Sequence, residues 1–132
     1  MSTHPNRYLN ELFLDLRARY FPDRLRSYSV MVGDELDNKS GYCDSTLRLI
    51  GINASILSSP LDLRLTLVHE MCHVGIPNHG RAFREELLRV ARLGEPAAVL
   101  ELRQFNPPRP VRTARTRPLR AQSDIQGSGY RA

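Results

Sequence analysis

The chain has 132 residues, 41% of them hydrophobic and 25% charged, the proportions of one folded domain rather than of a disordered segment. No run approaches the roughly 18 apolar residues of a membrane helix, and Arg7, Glu11, Asp15 and Arg17 break the opening segment where a secretory leader would be apolar. The net charge of +5 is uneven: residues 1–102 carry 12 basic and 13 acidic side chains, and residues 103–132 carry seven arginines and one aspartate.

In chain order, Leu9, Leu12, Phe13 and Leu16 recur at helical spacing and predict a helix over 6–20, ended by Pro22. Residues 28–32 read as a short strand closed by Gly33 and Asp34. Residues 37–41 have turn chemistry and are expected to connect strands. Residues 46–56 alternate apolar and polar and predict a strand with one buried face, Gly51 marking a bulge or a close approach.

Ser59-Pro60-Leu61-Asp62 is a helix start, with a capping serine, proline at the first helical position and an acid at the positive end. The helix is expected to run to about Val74 and to stop at Gly75, with Pro77 behind it. It is apolar almost all round, which predicts a central, buried position. Helices over 79–93 and 96–104 follow, the first ended by Gly94. After Phe105 the chain turns to proline, arginine, serine and glycine, a composition too poor in large apolar residues to fold alone. The expected fold class is α+β, with one domain over 1–104 and a basic, disordered tail over 105–132.

The chemistry concentrates at His69-Glu70-Met71-Cys72-His73. On a helix, positions i and i+4 share a face, so both imidazoles can grip one ion. A catalytic zinc site takes three protein ligands and a water. The third expected ligand is His79, which Gly75 and Pro77 allow to return toward the metal; Glu85 and Glu86 are the alternatives. Glu70 then stands where it can take a proton from the zinc-bound water, whose pKa falls to about 7. The chemistry expected of that set is peptide hydrolysis on Zn2+. Burying two histidines and a glutamate on an apolar helix without a metal would be costly.

The string from His69 to His73, followed by His79-Gly80-Arg81-Ala82-Phe83, resembles the SprT-like metalloprotease family, in which a His-Glu-x-x-His helix precedes a His-Gly-x-x-Phe segment bearing the third ligand. The lead-in through Ile52-Asn53 and Ile56-Leu57-Ser58 is similar in kind. The resemblance implies a small zincin-like domain with a short antiparallel sheet, a buried metal helix and flanking helices. It also implies zinc, proteolysis and action on proteins crosslinked to DNA. The five residues between His73 and His79 are fewer than in many members, and no cysteine after Cys72 supplies the zinc ribbon that often follows. Metzincins place their glycine one position later than Gly75, and zinc ribonucleases of ribosomal RNA maturation have glycine in place of Glu70.

Ile52, Asn53 and Ala54 are candidate substrate-binding residues, because an open strand edge binds peptide backbone with little regard to sequence. Tyr42 is a candidate oxyanion donor that nothing in the sequence places. Arg109, Arg112, Arg115, Arg117 and Arg120 are candidate nucleic-acid contacts through phosphate charge. Two cysteines, Cys43 and Cys72, are too few for a disulfide scaffold and point to a reducing, cytoplasmic compartment. A monomer with a protein or peptide substrate and no membrane partner is expected. The alternatives from other classes are a zinc-dependent endoribonuclease and a non-catalytic, zinc-stabilised module that binds nucleic acid.

Overall fold

The computed structural model describes residues 3–34 and 38–105. The elements are β1 (Thr3–His4), α1 (Arg7–Tyr20), β2 (Ser29–Gly33), β3 (Gly41–Asp44), β4 (Leu49–Asn53), α2 (Pro60–Cys72), α3 (Arg81–Arg92) and α4 (Pro96–Phe105). Among the described residues no helix is long and apolar enough to cross a membrane. Among the described residues the fold is α+β, a four-stranded sheet with four α-helices.

Helix α1 starts where the Asn6 side chain accepts from Leu9 N–H at 2.9 Å, and it buries Leu9, Phe13, Leu16 and Tyr20. Their spacing of three and four residues draws one stripe down the helix. Residues 46–56 do not form one strand. The Asp44 carboxylate accepts from Thr46 and Leu47 N–H, and Arg48 takes a left-handed φ of 53°, so a turn occupies 45–48. Asn53 then accepts from Ser55 N–H and opens a short 3-10 turn over Ala54–Ile56. Only Leu49–Asn53 remains extended.

The expected antiparallel sheet is mixed. Its order is β1-β2-β4-β3, with β2 and β4 parallel and the two outer pairs antiparallel. The hairpin between β3 and β4 reverses the chain and inserts β4 beside β2 in the same direction as β2. As the most apolar strand, β4 takes the interior, with Ile50, Gly51 and Ile52 all buried. The substrate edge expected at Ile52, Asn53 and Ala54 is therefore not an edge. Strand β4 is paired with β3 through Ile52 and with β2 through Asn53, and Ala54 belongs to the 3-10 turn.

A Cβ on Gly41 would lie 2.9 Å from Thr66 Cγ2 of α2, so Gly41 and Cys43 face α2, and Tyr42 faces away. Tyr42 pairs with Gly51, and its ring covers that glycine so closely that a Cβ there would lie 2.2 Å from Tyr42 Cε2. Close approach, not a bulge, is what Gly51 provides. Gly51→Ala should destabilise the protein by about 1–3 kcal/mol in urea unfolding, and the penalty should largely vanish in a Tyr42→Ala background. An undiminished penalty there would show that the ring is not the obstacle.

One core cluster joins the sheet residues Val30, Val32, Ile50 and Ile52 to Leu63, Leu67 and Met71 of α2 and Phe83, Leu87 and Val90 of α3. Helix α2 is buried most completely in its C-terminal half, whereas Leu61 in its first turn is exposed. Ser59 occupies the N-cap position of α2, but its hydroxyl donates to the Asp62 carboxylate at 2.9 Å rather than capping a backbone N–H. Helix α4 packs against α2 and α3 and includes Phe105, whose ring centroid lies 6.0 Å from that of Phe83.

Candidate metal centre

The last turn of α2 carries His69 and Glu70, which are 3% and 2% exposed, and His73 caps the helix. Gly75 ends it with a left-handed φ of 81°, a conformation open to glycine at little steric cost. The chain then turns back, and Ile76 N–H donates to His73 C=O at 2.7 Å. Asn78 accepts from Gly80 N–H at 3.0 Å as α3 begins, and this brings His79 over the end of α2. Arg24 ties the same corner together by donating to Val74 C=O at 2.6 Å and to Glu86 at 2.7 Å.

The three imidazoles converge. Nε2 of His79 lies 2.9 Å from Nε2 of His73 and 3.1 Å from Nε2 of His69. The candidate donor atoms all lie within 4.8 Å of one another. Tetrahedral ligands about 2.0–2.1 Å from one zinc ion are separated by about 3.3 Å, so the spacing suits a metal. The rest of each ring agrees. His69 Nδ1–H donates to Glu101 at 2.5 Å, and His73 Nδ1–H donates to Ile76 C=O at 2.7 Å. A neutral imidazole that donates through Nδ1 presents only a lone pair at Nε2. Both of these Nε2 atoms face Nε2 of His79. A cation satisfies all three.

Phe83 of α3, itself fully buried, supports the cluster, its ring centroid lying 5.0, 4.6 and 5.0 Å from those of His69, His73 and His79. Burial holds the His73 imidazolium below the usual histidine range; His69 adds to the effect and the Ile76 carbonyl opposes it. A neutral ring is the form that ligates a metal.

His73 and His79 line an open cavity of about 560 Å³ together with Glu70, Cys43, Tyr42 and Ile76. Glu70 thus lines the same cavity as two of the three rings. The Cys43 thiol is pushed up to about 12 by burial, by Glu70 and by Asp44, and Cys72 is a fully buried core residue. Neither thiol joins the converging donors, which among the described residues are the three histidines. Tyr42 packs its ring over Gly51 and also borders this cavity. His4 is exposed on β1, 3.2 Å from Asp34.

Glu85 and Glu86, the alternative third ligands, are engaged elsewhere. Glu85 lies 3.5 Å from Arg81 on the surface, and Glu86 is bound by Arg24 and Arg89. Sequence reasoning did not single out Glu101. Its one local signal is the spacing Ala97, Ala98, Glu101, which puts an acid on the apolar face of α4. Arg109, Arg112, Arg115, Arg117 and Arg120 lie outside the described residues.

A comparison with curated proteins and one with solved structures each give no match. The sequence model of the SprT-like family matches residues 9–101, a span that holds all three converging histidines, Glu70 and Glu101 and covers well over half of the chain. The chain belongs to the SprT-like family.

Proposed function

We propose that the protein is a zinc-dependent metalloendopeptidase, with His69, His73 and His79 as ligands and Glu70 as general base. The observation that carries this reading is the convergence of three Nε2 atoms beside a cavity that Glu70 also lines. Zinc, when bound there, lowers the pKa of its water to about 7 and polarises a substrate carbonyl. Glu70 takes the proton of the attacking water and returns it to the departing amine nitrogen. Phe83 and the carbonyl of Ile76 hold the rings in place and exclude bulk water from their inner side. The peptide docks in extended form along β3, which ends the sheet and contributes Tyr42 and Cys43 to the cavity. There it gains backbone hydrogen bonds that do not depend on side-chain identity. The arginines of residues 103–132 support substrates presented on nucleic acid, a contact that weakens steeply as salt rises.

The reading is tested by metal analysis of purified protein and of His79→Ala, with a casein-like protein and a structured RNA assayed in parallel. Stoichiometric zinc in the parent, its loss in the variant and zinc-dependent proteolysis are expected. Cleavage of the RNA without proteolysis, or full zinc retention by His79→Ala, overturns it.

A further inference from the structure

The buried acids of this domain differ in what they face. Glu86 rests against Arg24 and Arg89, and Glu95 against Arg64, so each of these carboxylates meets a guanidinium. Glu101 is 3% exposed and meets the imidazole of His69. A buried carboxylate is costly unless it is paired or near a metal. A dication held by the three rings would supply countercharge to Glu101 and to Glu70, which lines the adjoining cavity. The two outer clamps also differ in kind. His73 donates to a neutral carbonyl, whereas His69 donates to a carboxylate, which forms the stronger hydrogen bond and makes the opposite nitrogen the better donor to a metal.

We propose that Glu101 is a positioning residue of the metal centre: it holds the Nδ1–H of His69, aims Nε2 at the ion and offsets part of the ion's charge. This rests on the metal reading above and adds to it a residue 32 positions from His69 on a separate helix. Helix α4 is therefore part of the metal-binding apparatus and not only a cover for α2 and α3. Glu101 acts through His69 and touches neither substrate nor ion.

The test is zinc affinity, measured by competition with a chromophoric chelator on the full chain. Glu101→Gln keeps the size and a hydrogen-bond acceptor and removes the charge. Its zinc dissociation constant should rise about 10–100-fold, and the ligand-field bands of the cobalt-substituted protein should shift. Ala98→Gly loosens the same buried face of α4 without touching His69, and its zinc affinity should stay within about threefold of the parent. If Glu101→Gln does not fold, Glu101→Asp, which keeps the charge and withdraws it from His69, should show the same direction with a smaller change. Parental affinity in whichever variant folds overturns the proposal, and so does an equal loss in Ala98→Gly. A parent chain that takes up no zinc refutes the metal reading itself, a result distinct from either.

Discussion

Glu70→Gln should lower the rate of protein cleavage by about 10²–10⁴-fold, the usual contribution of a general base, and leave zinc content unchanged. The amide keeps the volume of the carboxylate in a position only 2% exposed, so the turn of α2 that carries His69 and His73 is retained. The converging donors are the three histidines, so the substitution removes none of them. What it removes is the group that takes a proton from water and passes it to the amine. The measurement pairs zinc content with turnover of a protein substrate. A variant that cleaves as fast as the parent would end the general-base assignment, and one that loses zinc would make Glu70 a contributor to the metal site instead.

The largest expected effect on stability lies away from the metal. Glu95 is fully buried and accepts two hydrogen bonds from Arg64 at 2.7 Å each and one from Ala97 N–H at 3.0 Å. It ties α2 to the start of α4. Arg64, the partner left behind, is 33% exposed and keeps access to solvent, so Glu95→Ala should lose about 2–4 kcal/mol, somewhat less than for a fully buried pair, read from urea unfolding. Burial by itself raises the Glu95 carboxyl, but Arg64, the Ala97 N–H and Tyr20 together hold it below its ordinary value of 4.5. The folded state therefore binds that proton less readily than the unfolded chain. Its contribution is complete above pH 4.5 and is lost as pH falls through the lower folded value. Glu86, bound by Arg24 and Arg89, is shifted in the same direction. The parent should lose stability below pH 4.5, and Glu95→Gln should flatten that dependence. An unchanged acid limb in the variant would show that Glu95 is not its source.

The helices were legible because their signals are local. Apolar spacing in α1, Pro60 and Asp62 at the start of α2, and Gly75 and Gly94 at helix ends all act within a turn or two of the chain. The strands were not equally legible. Gly41–Asp44 is short and weakly apolar, and it becomes a strand by pairing with β4. The pairing of β1 with β2 rests on two residues. Alternation over 46–56 looked like one strand, yet Asp44 and Asn53 accept local N–H groups and trim it to five residues. Side-chain hydrogen bonds of that kind compete with the ladder and override periodicity.

From the sequence alone came the placement of His69, Glu70 and His73 on one helix, because a spacing of four residues on a helix is itself a geometric statement. The return of His79 was legible for a related reason: a glycine and a proline between two helices force a short reversal. Only the tertiary structure decided that β4 is interior and β3 an edge, since strand order depends on partners distant in the chain. It also brought Glu101 behind His69 and Phe83 beneath all three rings. Those contacts arise from the packing of α3 and α4 against α2, and no local pattern encodes which side chain a neighbouring helix will present.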